Sequence, residues 1–300
     1  MKHSIAVCNY NMASTVERSL RSMLDQTDET YEVVVVDGGS TDGSVAILRG
    51  LEAEYDRLRV VEREPDPDRH LGADRNRSFE EARGEFVLES LDTDDCYYDG
   101  VIEDFVDIFH QLRAAVDFEF VLSGKGLNIG PRSLLLEIPY RNLGGAEDRD
   151  WWRRLFAEDA IVWLEHEAPC EEIGYSMDLE AQIRRDIHGK ITDFQVGIPF
   201  WDCIRYTLSH EHYGILEKRR SPPVEVLKRL YDLSTYPYAW IKARDRPQYS
   251  TAEAYRKKGA IERTIAHQQV TLSELEERYG VDIDTSGFSE RGHRVFVDDA

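Results

Sequence analysis

Four carboxylates stand almost side by side after a short apolar run: Leu88 to Gly100 reads LESLDTDDCYYDG, with Asp92, Asp94, Asp95 and Asp99. Carboxylates this close repel one another and resist burial unless positive charge neutralises them. Asp92-Thr93-Asp94 has the D-x-D form, in which two carboxylates on a tight turn can share a hard divalent cation that grips phosphate oxygens. A solvated turn on an acidic chain gives the same letters, so the residues alone leave both readings open. An EF-hand loop is excluded, because its glycine and later glutamate are out of place. A second cluster, Asp37-Gly38-Gly39-Ser40, lacks both the G-x-G-x-x-G spacing of a dinucleotide fold and the lysine of a P-loop. Its glycines would let the backbone turn sharply and approach a flat ligand. Asp37 could accept hydrogen bonds from a base; alternatively, Asp37 or Asp42 caps the following helix.

The elements that must position these groups alternate. Ser4–Asn9 is a short strand, and Ser14-Thr-Val-Glu17 reads as a capping box opening a helix. Tyr31–Val36 (YEVVVV) has no alternation, as expected of a central strand buried on both faces. A helix around Val45–Tyr55, a strand at Leu58–Glu62, a helix at Ala73–Arg83 and a strand at Glu85–Leu91 follow. Asp99 is a candidate cap for the next helix, whose buried side carries Val101, Ile102, Phe105, Ile108, Phe109 and Leu112. This rhythm predicts an α/β fold with an open, mostly parallel sheet and helices on both faces. Ligands in such sheets sit beyond the carboxyl ends of the strands. Asn9-Tyr10-Asn11, the Asp37 cluster and the Asp92 cluster all fall there.

At that point the chain resembles a known family. SIAVCNYN, VVVVDGGSTDGS and GADRNRSFEEARGEFVLESLDTDD are similar, in order, spacing and strand context, to the nucleotide-sugar half of family 2 glycosyltransferases of the GT-A fold. A fourth piece, GGAEDRDWWRRL (Gly144 to Leu155), resembles the family's acceptor-side E-D motif. The likeness covers roughly Ser4 to His166. It implies that Asn9 and Tyr10 line the base, that Asp37 holds the base edge and that Arg75 contacts the nucleotide. Asp92 would lie near the ribose, and Asp94 would ligate Mg²⁺ or Mn²⁺ bridging the diphosphate. Asp148 would be the catalytic base, supported by Glu147. Many members carry a second aspartate where this chain has Gly38. The chemistry implied is inverting transfer from a nucleoside-diphosphate sugar to an acceptor hydroxyl, or to a lipid-linked phosphate or saccharide. Without the resemblance, the favoured reading of Asp148 is a helix-start carboxylate interacting with the macrodipole. Trp151 and Trp152 are candidates for the acceptor pocket or the core.

Composition sets the outer limits. With 300 residues, 41% hydrophobic and 10% aromatic, the chain can bury a large core. No apolar run approaches the roughly 18–20 residues needed to span a bilayer. The start, MKHSIAVCNYN, turns polar too soon for a signal peptide, so a cytoplasmic protein is expected. The 58 acidic residues outnumber 37 basic ones, giving −21, and only 8 of the basic residues are lysine. Such a surface suits concentrated salt, and a halophilic source is the expectation. The charge argues against nucleic acid as a partner. Cys8, Cys96, Cys170 and Cys203 have no metal-ligand or redox spacing and read as free thiols.

The expected division is a catalytic domain over 1–166 and a mainly helical region over 167–300. In the latter, Ser250-Thr-Ala-Glu253 and Thr271-Leu-Ser-Glu274 read as capping boxes, Gly280 as a helix stop, and Ser289–Ala300 as a loose tail. Leu216–Arg263 holds 12 Lys/Arg against 6 Asp/Glu, interleaved with Tyr and Trp. That suits peripheral contact with an anionic membrane face, or packing on the acidic domain. Two rival functions remain. A nucleotidyltransferase would need a glycine- and Lys/Arg-rich triphosphate loop near the first strand, which Asn9–Ser14 does not offer. A catalytically inactive sugar-nucleotide binding or scaffold protein would have no use for both Asp94 and Asp148.

Overall fold

The computed structural model describes residues 1–174, 179–209 and 222–297. The chain forms two compact units, each assembled from separated stretches. One comprises Met1–Pro139, Asp159–Ser176 and Gln269–Ala300; the other comprises Tyr140–Glu158 and Met177–Gln268. This partition is not the contiguous one expected at residue 166. The E-D segment sits in the second unit, and the C-terminal stretch returns to the first.

The first unit is built on a seven-stranded sheet in the order β3-β2-β1-β4-β7-β6-β8. Its strands are β1 (His3–Asn9), β2 (Tyr31–Asp37), β3 (Leu58–Glu62), β4 (Phe86–Asp92), β6 (Val121–Ser123), β7 (Asn128–Pro131) and β8 (Ile161–Trp163). The first four run parallel, and β7 enters antiparallel between β4 and β6. β5 (Asp95–Tyr97) leaves the sheet to pair with β9 (Cys170–Glu172). Val33 to Val36 are fully buried, as the unbroken β-branched run requires. Ile5, Val7, Val33 and Val35 join one core with α1 (Val16–Leu24), α2 (Ser44–Glu54) and α4 (Val101–Ala115). Ala6, Val34 and Val36 are buried on the opposite face, where α3 (Leu71–Glu81) packs on β1 and β2.

Several local expectations are corrected. The Ser14 box does not form: Thr15 takes the cap position without a side-chain capping bond, and Glu17 pairs with Arg21 instead. Asp99 does not cap α4, whose N-cap is Gly100 at φ 80°. The Ser250 box gives way to a short 3-10 turn, Glu253–Tyr255, preceded by Ala252. Thr271 does make its capping box with Glu274, and Gly280 ends that helix in the left-handed region.

Ser289–Val297 is no loose tail, while residues 298–300 lie outside the described ones. Residues after Val270 are drawn in because Val270 extends the sheet beside Leu164. Val295 and Phe296 are then buried in the main core, Phe296 against Phe105 and His166.

The second unit is helical. It holds α6 (Glu147–Ala157), α7 (Leu179–Gln195), α8 (Phe200–Leu208), α9 (Pro222–Ala243) and α10 (Ala260–Gln268). Leu143, Ile191, Phe194, Val196, Ile198, Cys203, Tyr236 and Ala239 form its core. Among the described residues, no helix is long and apolar enough to cross a membrane. All four cysteines are free thiols.

Truncating a buried aromatic leaves a cavity and removes its transfer free energy. Phe296→Ala is therefore expected to destabilise the chain by about 3 kcal/mol, read as a shift in the urea midpoint. An unchanged midpoint would return the C-terminal stretch to the loose tail expected from sequence.

Candidate active site

Parallel register brings three distant polar clusters together. β1 lies between β2 and β4, with Asn9 opposite Asp37 and Cys8 opposite Asp92. The carboxyl ends of all three strands therefore open at one edge of the sheet, where ligands of such folds sit. Between the pairs Ile5–Leu88 and Val7–Leu91, β4 carries one more residue than β1. A bulge of this kind bends a strand and re-aims its end, here directly before the acidic turn.

Asp92, Asp94 and Asp95 each place a carboxylate oxygen within 4.8 Å of the others. Asp92 is exposed and the other two are half-buried. Burial, followed by the charges of Asp92 and Asp94, pushes the Asp95 carboxyl up to about 7. Beside it, burial and the Asp95 charge push the Cys170 thiol up to about 12. The donor set is oxygen only and its members repel one another. That fits a hard divalent cation such as Mg²⁺ or Mn²⁺, and not a thiolate- or imidazole-seeking metal. Asp95 was named in the acidic cluster from sequence but given no ligand role there. Its place became evident only once β5 paired with β9 and turned back beside the D-x-D turn. Asp99 is not part of the group.

Arg75, on α3, is almost buried. Its guanidinium lies 3.0 Å from Glu89 Oε2 and 3.9 Å from Asp92 Oδ1. Asn128 Nδ2 donates to the other Glu89 oxygen at 2.5 Å. Glu89 is thus a buried carboxylate that fixes Arg75 behind the acidic turn, and sequence reasoning passed over it. A glutamate inside the apolar FVLESL run was the available clue. Breaking such a pair is costly, because it strands a buried charge.

Asp37 is fully buried and spends its carboxylate on its own loop. Oδ1 accepts from Asn9 Nδ2 at 2.8 Å and Ser40 Oγ at 2.6 Å. Oδ2 accepts from the Gly39 and Ser40 amides at 3.0 and 2.8 Å. A carboxylate has about four acceptor sites, so a base edge at Asp37 would have to displace a protein donor. Further bonds stitch this loop to residues 11–13: Ser40 Oγ accepts from the Asn11 amide, Asn11 Oδ1 from the Thr41 amide, and Asp42 Oδ2 from the Ala13 amide. Asp42 also accepts from the Ser44 amide where α2 starts. Together they form a braced platform from which the Tyr10 ring projects, 61% exposed.

In the second unit, the turn before α6 holds Ala146 at φ 55°, a conformation a non-glycine residue adopts only when its surroundings impose it. Three carboxylates open the helix, and the structure separates their roles. Asp150 is fully buried between Arg141 at 2.9 Å and Arg154 at 3.3 Å. Glu147 is buried. Asp148 is half-buried, and among the described residues its hydrogen-bond partner is the adjacent Arg149 amide, on Oδ1 at 2.7 Å. Unlike Asp150, Asp148 is not locked between arginines. Trp151 and Trp152 are both buried, with Trp151 stacked on Tyr140 at 4.7 Å.

A poly(ribitol-phosphate) beta-glucosyltransferase of Bacillus spizizenii is 37% identical over 97 residues, 32% of this chain and 15% of that protein. A cholesterol galactosyltransferase of Borreliella burgdorferi is 28% identical over 99 residues, 33% of this chain and 25% of that protein. The chain spans between 15% and 44% of the length of the curated relatives it matches. Among solved structures, a mannosyltransferase from Pyrobaculum calidifontis in complex with GDP-Man and Mn²⁺ superposes with a TM-score of 0.51 at 19% identity. That likeness covers 93% of this chain and 79% of the other. Glucosyl-3-phosphoglycerate synthase from Mycobacterium tuberculosis, with Mn²⁺, UDP and glucosyl-3-phosphoglycerate, gives 0.52 at 19% identity, over 66% and 81% of the two chains. These two likenesses show the shared GT-A fold. The model of glycosyl transferase family 2 matches residues 4–175, more than half of the sequence, and the chain belongs to that family.

Proposed function

We propose that this chain transfers a sugar from a nucleoside-diphosphate sugar to an acceptor hydroxyl, or to a lipid-linked phosphate or saccharide, with inversion at the anomeric carbon. The observation that carries the reading is the Asp92–Asp94–Asp95 group at the carboxyl end of β4. It stands next to Arg75 and in register with the Asn9–Asp37 platform. Asp94, with Asp92 and Asp95, would hold Mg²⁺ or Mn²⁺. When bound, such a cation neutralises the charge that develops on a diphosphate leaving group. Tyr10 offers an exposed ring to the base, Asn9 and Asp37 shape the loop beneath it, and Arg75 faces the nucleotide from behind the acidic turn.

The transfer is a displacement at the anomeric carbon through an oxocarbenium-like transition state. The bond from anomeric carbon to diphosphate oxygen breaks, and its electron pair leaves with the nucleoside diphosphate. The acceptor oxygen forms the new bond from the opposite face and loses its proton. We assign that proton to Asp148 Oδ2, since Oδ1 already accepts the Arg149 amide. Glu147 supports the turn that presents it.

Localisation is proposed at the cytoplasmic membrane face, through α8 and α9. Trp201, Leu208, Leu227, Leu230, Trp240 and Ile241 are all exposed there. The local positive charge is less available than its sum suggests. Lys228 is paired with Asp186 and Asp232, Arg229 with Glu225, and Lys258 with Asp193. Residues 216–221 of the basic stretch lie outside the described residues. In concentrated salt, which the acidic composition suits, the apolar side chains would carry the contact.

Asp94→Asn is expected to abolish Mn²⁺-dependent binding of a nucleoside diphosphate, measured by calorimetry, while the thermal melt stays near that of the wild type. Unchanged affinity would refute the metal assignment. Asp148→Asn is expected to lower the transfer rate by about 10²–10⁴ with donor affinity nearly unaltered; transfer at the wild-type rate would leave Asp148 as a helix-start carboxylate. Sedimentation with anionic liposomes should persist from low to molar salt and weaken in Trp240→Ala. Failure to sediment in either condition would end the membrane reading.

A further inference from the structure

Position 38 has no side chain, yet the space one would fill already meets a carboxylate from another element. A β-carbon built on Gly38 would lie 3.2 Å from Asp74 Oδ2, 3.5 Å from Tyr10 Cδ2 and 3.6 Å from the Asn9 carbonyl oxygen. Asp74 sits in the first turn of α3. Its other oxygen, Oδ1, is held by Arg63 Nη1 at 2.7 Å and Arg69 Nε at 3.0 Å. Arg69 Nη2 also donates to the Gly38 carbonyl at 2.9 Å, and Arg63 Nη1 to the Ala73 carbonyl at 3.2 Å. Two arginines on one oxygen fix the rotation of the carboxylate. Among the described residues, no donor reaches Oδ2. The platform therefore presents a lone acceptor oxygen near the exposed ring of Tyr10, while the acceptor sites of Asp37 are consumed internally.

A carboxylate oxygen discriminates between bases of equal shape. Uracil carries a proton on N3 where cytosine has a lone pair; guanine carries one on N1 where adenine has a lone pair. A site built to accept an N–H leaves its own acceptor unpaired, and facing a lone pair, when the wrong base enters.

We propose that Asp74 determines nucleotide specificity, its Oδ2 accepting the ring N–H of an imide or lactam base (uracil, thymine or guanine) and rejecting cytosine and adenine. The inference rests on the nucleotide-sugar reading above and deepens it. Gly38 is what makes room: its missing side chain opens the path from Asp74 to the base.

The test is calorimetry on the full chain with Mn²⁺ and four ligands: UDP, CDP, GDP and ADP. The wild type is expected to bind UDP over CDP, or GDP over ADP, by about ten- to a hundredfold, the range for a hydrogen bond to a charged group. In Asp74→Asn the arginines keep the amide oxygen at the Oδ1 position, so the NH₂ faces the base. That preference should disappear or invert. Gly38 does not sit at positive φ, so an L side chain is tolerated there. The double variant Gly38→Asp/Asp74→Ala should return a carboxylate to the same space and restore the preference.

If Asp74 serves only to neutralise Arg63 and Arg69, its loss lowers all four affinities together and leaves the ratios intact, which overturns the proposal. A double variant that binds nucleotides without recovering the preference also overturns it, as does a wild type that binds all four alike. A wild type that binds none of the four overturns the nucleotide-sugar reading itself, and this inference with it.

Discussion

Three carboxylates whose oxygens lie within 4.8 Å of one another are an expense that a folded chain tolerates only where something holds them together. The repulsion shows in Asp95, whose carboxyl rises to about 7 through burial and its two neighbours. The surrounding structure serves to impose that proximity. The parallel pairing of β1 with β2 and β4 fixes where the turn emerges, and the bulge in β4 aims it. β5, paired with β9, folds Asp95 back beside Asp92 and Asp94. Arg75 sets the nearest positive charge behind the turn, anchored in its turn by buried Glu89. A divalent cation would turn this repulsion into attraction, so the site's cost and its proposed use have one origin.

The proposed nucleotide platform follows a different logic. Most of its polar groups are satisfied by one another: Asp37, Asn9, Ser40, Asn11, Asp42 and Ser44 close a lattice of hydrogen bonds between two loops, with Asn9 Oδ1 left over. That lattice makes the platform stiff. It also means that recognition must come from what remains pointing outward, chiefly the ring of Tyr10 and the second oxygen of Asp74. A buried acidic residue with four donors serves the fold, whereas a half-buried one with a vacant oxygen can still serve a ligand. The same contrast separates Asp150 from Asp148 at the start of α6, where one carboxylate is locked between two arginines and the other is not.

Much of this was legible in the sequence, for reasons that differ by element. The run VVVV announced a strand buried on both faces because only such a strand tolerates apolar side chains without alternation. The three polar clusters were legible as neighbours because each follows a strand of one parallel sheet. Glu89 was missed, and Asp95 named without a role, because their places depend on partners remote in sequence: Asn128 and Arg75 for one, the β9 pairing for the other. The Ser14 and Ser250 boxes failed where the Thr271 box succeeded, since a local motif holds only if tertiary contacts leave its side chains free. The C-terminal residues read as a tail because much of their burial is supplied by partners remote in sequence, such as Phe105 and His166. Asp74 was given no role from sequence; only the missing side chain at Gly38, seen in three dimensions, gives it an opening.

The central claim is that the acidic turn serves a diphosphate through a divalent cation. It is tested most directly by incubating the full chain with a panel of nucleoside-diphosphate sugars, with and without Mn²⁺, and following release of the nucleoside diphosphate by slow donor hydrolysis. The account expects release from at least one donor in the presence of Mn²⁺, and its loss when the cation is chelated. Release that proceeds equally after chelation would contradict it.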